Sequence, residues 1–342
     1  MVARQTLAVR AQEAYAEGRR LVVPLMGFPG LRLTGCNVKL AQQNYGEHFR
    51  VIKALAERFQ PDAIFPLMDL AVEANALGCY TLFPTDDSAT VMRGRFTRDE
   101  LANRRRINIG FDSRLLGYVE TVKLMSIGLP AAMLRGAYVT GPYSLAALIM
   151  GADEAALATL TDPGLLTELC QLCTEKIEEY MRLLVAAGAQ VVCVLEPSAV
   201  MLGPAQFERF SAQYVAHITQ SCRYAGLATI YHTCGNTMHL VRAMAATGVD
   251  GVSLDSLAAG VDLPAAARLV AAGTAIIGNV NPTGAILSGT ADQVRAEVGA
   301  LLAAMDAYPN YILSTGCDLP QETPIENIQA FMEAGRGYRV RG

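Results

Sequence analysis

Eight short apolar or β-branched runs recur along this chain, and stretches of helical periodicity separate them. The runs fall at about 21–26, 63–68, 131–139, 190–195, 228–232, 250–255, 275–280 and 311–315. Continuous apolar strands interleaved with helices predict a parallel sheet whose outer face is covered, because neighbouring parallel strands need a crossover between them. The intervening helices are legible. Pro163–Ala187 carries Leu165, Leu166, Leu169, Leu172 and Ile177 at helical spacing. Pro204–Tyr224 begins on a Gly-Pro start signal, Met238–Thr247 stops at Gly248, and Thr290–Tyr308 stops before Pro309. Eight such units predict an α/β fold of one (β/α)8 barrel with an N-terminal extension. The expected organisation is a single domain over 1–342, with 84–117 as an inserted loop or lid.

Composition narrows the function classes. Over half of the residues are hydrophobic (52%) and 18% are charged, enough to fill a large core, and the net charge of −4 argues against a nucleic-acid face. The longest apolar runs, such as Leu145–Met150, are too short to span a bilayer. Met1–Gln5 lacks the apolar core of a leader. The expectation is a cytoplasmic protein whose eight cysteines are reduced.

Among those cysteines, Cys234 and Cys317 stand apart. His232-Thr233-Cys234-Gly235 closes the fifth strand, and Ser314-Thr315-Gly316-Cys317 closes the eighth. His232 and Cys234 are two apart, so an extended backbone turns both side chains to one face. Cys317 lies far along the chain, and only a barrel brings it back to the same rim. One imidazole and two thiols are the ligand set of a catalytic zinc with an open fourth position. Gly235 and Gly316 allow the turns that would aim the sulfurs inward. Of the remaining cysteines, Cys170 and Cys173 lie within an amphipathic helix and read as core, while Cys36, Cys79, Cys193 and Cys222 lack a neighbouring histidine. His48, His217 and His239 have no evident partner. Arg104–Arg106 reads as a solvated basic face rather than an anion grip.

Three acidic residues follow strands on the same rim: Asp69, Glu196 and Asp255. Each is a candidate catalytic carboxylate, able to approach the metal, hold a substrate cation or orient His232. For each, a helix cap or a surface ion pair is the competing role. Asn236 and Asn279 are candidates to contact a bound cofactor, although Asn279 also fits turn chemistry.

Tyr231–Thr237, Gly278–Pro282, Ser314–Pro320, Asp69–Gly78 and Leu195–Ala199 together resemble the uroporphyrinogen decarboxylase superfamily. The resemblance runs over roughly 20–335 and is greatest to the corrinoid-linked zinc methyltransferase branch. It implies zinc on His232, Cys234 and Cys317, with Asp255 as a fourth or nearby ligand. It also implies a corrinoid (cobalamin) delivered by a separate small protein, since no Asp-x-His-x-x-Gly pattern is present. The implied reaction moves a methyl group between methyl-Co(III)/Co(I) and a small substrate. That substrate is a thiol or folate acceptor, or a methyl ether or other methylated donor. The decarboxylases grip porphyrin carboxylates with paired arginines near the start, and Pro24–Arg32 lacks them. A uroporphyrinogen-type decarboxylase and a non-catalytic subunit that docks a corrinoid protein are the alternatives.

Overall fold

A computed structural model of the chain describes residues 6–94 and 96–341. Met1–Gln5, read above for a leader, lies outside the described residues. The strands are β1 (Ala63–Ile64), β2 (Thr81–Leu82), β3 (Thr90–Val91), β4 (Leu134–Thr140), β5 (Val191–Leu195), β6 (Ala228–Thr233), β7 (Gly251–Leu254), β8 (Ala275–Val280) and β9 (Tyr311–Thr315). Seven of them form one parallel sheet in the order β1-β4-β5-β6-β7-β8-β9. Residues 21–23 close it. Val22 bridges Leu313 in parallel, with Val23 N–H donating to Leu313 O at 2.8 Å. On its other side Val22 N–H donates to Asp62 Oδ2 at 2.7 Å, and Asp62 N–H returns to Val22 O at 3.1 Å. The eight expected strands therefore form a barrel.

Two strands are shorter than their apolar runs, and proline is the reason. Pro24 cannot donate to a ladder, so the backbone pairing of the first run stops at Val23, and Leu25 N–H turns to Thr315 Oγ1 at 3.0 Å. Pro66 interrupts the second run likewise, and Leu67 N–H finds His48 Nε2 at 2.8 Å instead. Every residue of β5, β6, β8 and β9 is buried, as expected for strands packed on both faces.

The outer layer follows the predicted helices, with two departures. Pro163–Ala186 is continuous. The helix expected over 204–224 holds a π turn at Glu208–Ala212, between Pro204–Phe207 and Gln213–Tyr224. That wider turn carries Ser211, whose Oγ lies 2.6 Å from Tyr231 Oη. In 84–117, where an inserted loop or lid was expected, the chain forms β3, which pairs antiparallel with β2 just before the segment, and the helix Arg98–Arg105. Thr97 and Glu100 start that helix with a reciprocal capping box. Ser113–Gly128 follows it. Arg104 donates to Leu77 O at 2.6 Å and Arg105 pairs with Glu175 at 3.8 Å, so the basic run has local structural partners. The helix Leu7–Ala16, capped by Thr6, lies at the amino-terminal end of the barrel.

Candidate metal centre

The register of the sheet sets the site. His232, next to last in β6, lies opposite Leu195 of β5 and Ser253 of β7. His232 is buried and its Nδ1 lies 3.0 Å from Ser253 Oγ. Its Nε2 lies 3.2 Å from Cys234 Sγ, and Cys234 Sγ lies 3.3 Å from Cys317 Sγ. The three potential ligand atoms all fall within 4.8 Å of one another. The cysteines are half-buried, so the cluster faces the mouth. Two thiols in contact cannot both ionise readily. The hydrogen bond with Cys234, with the neighbouring His232, holds the Cys317 thiol well below its ordinary range. The same contact, together with burial, drives the Cys234 thiol up.

The glycines beside the cysteines have geometric reasons. Gly235 takes φ +80°, a region that L side chains avoid. A Cβ on Gly316 would stand 2.7 Å from Ser256 N and 3.1 Å from Asp255 Oδ1. The loops that carry Cys234, Asp255 and Cys317 are thus pressed together. Asp255 ties this junction: Oδ2 accepts from Gly235 N–H at 2.7 Å and Oδ1 from Ser256 N–H at 2.6 Å. Both of its oxygens are engaged by backbone, and no Asp255 oxygen belongs to the three-residue cluster.

The other expected site residues are placed differently. Glu196 does not face the mouth. It is fully buried, its Oε1 accepts from Tyr143 N–H at 3.1 Å and Ser211 Oγ–H at 2.8 Å, and its Oε2 accepts from Ser144 N–H at 2.8 Å. It satisfies the start of helix Pro142–Met150, whose backbone Gly141 supplies no side-chain cap. Asp69 is also occupied. Its Oδ2 takes the Arg114 guanidinium and Tyr118 Oη–H (2.7 Å), while Oδ1 takes Ala71 N–H at 2.9 Å. Asn279 spends its amide on Asp255 O (2.8 Å) and Val261 O (3.0 Å), bracing the loop after β7. Asn236 is exposed and packs against Gly260. None of Asp69, Glu196, Asp255, Asn236 and Asn279 joins the His232–Cys234–Cys317 cluster among the described residues.

Several residues around the site escaped the sequence reading. Ser253 orients His232; strand parity, which puts Ser253 and Asp255 on the face of His232, was the available signal. Asp318, next to Cys317, accepts from Leu319 N–H at 3.0 Å, while its Oδ2 is buried without a protein donor. Burial and then the neighbouring Cys317 push its carboxyl up to about 8. Tyr138 stacks on Phe65 with ring centroids 4.9 Å apart and shares the field of Asp318 and Cys317. His48 is not a bare helical residue. Burial, then Arg114, hold it down at about 3, so it is a neutral acceptor for Leu67 N–H. Cys170 and Cys173 are core, as expected. His217 is exposed beside Glu178 at 3.3 Å, and His239 Nε2 lies 3.3 Å from Leu202 O.

A parallel barrel with a His-Cys-Cys cluster on the carboxyl-terminal rim defines the class. Residues 32–338 match the model of the uroporphyrinogen decarboxylase (URO-D) family, and the chain belongs to that family. Among its relatives is the methylcobamide:CoM methyltransferase MtbA of Methanosarcina mazei. It is 28% identical over 236 residues, which is 68% of this chain and 67% of the relative. The MtbA of Methanosarcina acetivorans is 28% identical as well, but the match spans only 63% of its length. The uroporphyrinogen decarboxylase of Prochlorococcus marinus strain AS9601 is 26% identical, over 81% of this chain and 80% of the relative. In fold, a methyltransferase structure from Methanosarcina mazei superposes with a TM-score of 0.85 at 21% identity, covering 96% of this chain and 98% of the other. A B12-independent methionine synthase from Shewanella sp. W3-18-1 follows at 0.58 and 12% identity, covering 85% and 86%.

Proposed function

We propose that this chain is a zinc-dependent, corrinoid-linked methyltransferase in which His232, Cys234 and Cys317 hold the metal. The observation that carries the reading is the convergence of one imidazole nitrogen and two sulfurs within 4.8 Å at a half-open rim. The donor set fits zinc: three N/S ligands, with the fourth position left to a substrate. Zinc there would act as a Lewis acid toward a thiol acceptor or the oxygen of a methyl ether.

The chain's own residues do the positioning. Ser253 Oγ holds Nδ1 and so presents Nε2 toward the cysteines. Asp255 anchors the turn after Cys234 through Gly235 N–H. Half-exposure of both cysteines leaves a path for a substrate and for the methyl carrier, a small corrinoid protein. The similarity to methylcobamide:CoM methyltransferases supports the methylcobamide side of this reading. Decarboxylation is disfavoured because Asp69 is committed to Arg114 and Tyr118, and Pro24–Arg32 lacks paired arginines. The working unit is taken as one barrel domain over 1–342 with an insertion at 84–117, acting in the cytoplasm.

The test is spectroscopic. The metal-analysed protein is mixed with methylcobalamin and a panel of thiols, and separately with Co(I) corrinoid and methyl ethers. A change in the corrinoid spectrum that requires zinc supports the proposal. No change in any combination, or full turnover in zinc-free protein, overturns it.

A further inference from the structure

Six of the eight cysteines are buried, and Cys234 and Cys317 are the half-buried pair. Their sulfurs stand 3.3 Å apart, in van der Waals contact. A bonded pair, at about 2.05 Å, lies only roughly 1.2 Å closer. Cys234 follows the last residue of β6 and Cys317 lies two residues past β9, so both side chains hang on loops rather than within a ladder. Other groups hold these loops at this spacing. Asp255 accepts from Gly235 N–H at 2.7 Å, and a Cβ on Gly316 would stand 2.7 Å from Ser256 N.

The other thiols are shielded. Cys170 and Cys173 share one helix inside the core, and Cys222 Sγ lies against Met181 Sδ at 3.9 Å. Cys36, Cys79 and Cys193 are buried as well. A buried thiol is inert to an oxidant arriving from water, whereas a partly exposed one reacts. The reactive pair also has a base at hand, since His232 Nε2 lies 3.2 Å from Cys234 Sγ.

We infer that Cys234 and Cys317 form a redox modification site, at which hydrogen peroxide converts the pair to a disulfide within one chain whenever zinc is not holding them. The step balances. Cys317 Sγ attacks the peroxide O–O bond and becomes a sulfenic acid, with release of one water. Cys234 Sγ then attacks that sulfur and its proton passes to His232 Nε2. The S–S bond forms and the S–O bond breaks, and the departing hydroxide takes the proton and leaves as a second water. The two thiols lose two electrons and two hydrogens, and the peroxide is reduced to water. Bound zinc would engage both sulfurs and block the step, and the disulfide in turn removes two of the three proposed ligands. The bond needs only the two sulfurs, while its consequence for metal rests on the zinc site proposed above.

Full-length protein is stripped of metal with a chelator, treated with hydrogen peroxide, and followed by intact mass and by non-reducing peptide mapping. The expected product is a monomer lighter by two hydrogens, with the Cys234 and Cys317 peptides joined, and dithiothreitol should part them. Zinc uptake by the oxidised protein should fall by roughly tenfold or more, because one imidazole alone does not hold the ion. Protein loaded with zinc beforehand should crosslink more slowly by a similar factor. Cys234→Ser should abolish the crosslink and leave a sulfenic acid on Cys317 that dimedone captures, whereas Cys193→Ala should crosslink as wild type does. The inference is overturned if no Cys234–Cys317 crosslink forms, if the crosslink joins two chains or runs to Cys193, or if bound zinc leaves its rate unchanged. A crosslink in protein that takes up no zinc even when reduced supports the modification site and overturns the zinc reading. Zinc uptake with no crosslink does the reverse.

Discussion

Ser253→Ala is the most discriminating change. In the folded chain His232 is buried, and in the neutral imidazole an Nδ1–H donated to Ser253 Oγ across 3.0 Å leaves Nε2 as the unprotonated nitrogen. That tautomer is the one a metal needs on Nε2. Removing the hydroxyl strands a buried Nδ1–H, which costs about 1–3 kcal/mol. Part of that cost can be avoided by switching the tautomer or turning the ring, and either response spoils the ligand. At about 1.4 kcal/mol per tenfold, the expected loss of zinc affinity is about 10–100-fold, the usual range for partners of a ligating histidine. The assay is competition with a chromophoric chelator at fixed pH, on wild type, Ser253→Ala and Ser253→Thr. Threonine keeps the hydroxyl and should restore most of the affinity. Unchanged affinity in Ser253→Ala would refute the argument that this serine orients His232.

Other outcomes follow from the same geometry. Cys317→Ala should reduce bound zinc to well below one equivalent by metal analysis and abolish methyl transfer, since two protein ligands do not make a catalytic zinc site. Arg114→Met should destabilise the fold by about 3–5 kcal/mol in chemical denaturation, because the buried Asp69 carboxylate loses its countercharge. Glu73 accepts from Thr140 N–H and Thr140 Oγ–H, yet burial raises its carboxyl to about 7. Its folded pKa exceeds the usual 4.5, so its contribution is fully present below pH 4.5 and is lost as pH rises through about 7. Glu73→Gln should therefore flatten that part of the pH–stability profile, by up to about 3 kcal/mol at neutral pH, measured as Tm against pH. A Glu73→Gln profile parallel to wild type would contradict the assignment.

The number and order of the eight strands, and the rim on which the fifth and eighth end, were legible in the sequence. Continuous apolar runs, helical spacing between them and Gly or Pro punctuation are local signals, and a parallel barrel follows from their repetition. Because all strands run the same way, His232, Cys234 and Cys317 could be put on one rim despite the 83 residues between the sulfurs. The shortening of the first two strands was also written in Pro24 and Pro66, though its extent depended on where Leu25 and Leu67 N–H found other acceptors. What only the tertiary structure decided was the fate of each polar group near that rim. A residue after a strand can turn to the mouth, to a helix start or to a neighbouring loop, and the sequence neighbourhood is the same in each case. Glu196 turned to Tyr143 and Ser144, Asp69 to Arg114, and Asn279 to the loop after β7. Ser253 became the partner of His232 through cross-strand register. Strand positions are set by periodicity along the chain. Hydrogen-bond partners are set by distances across it, and those exist only after the barrel closes.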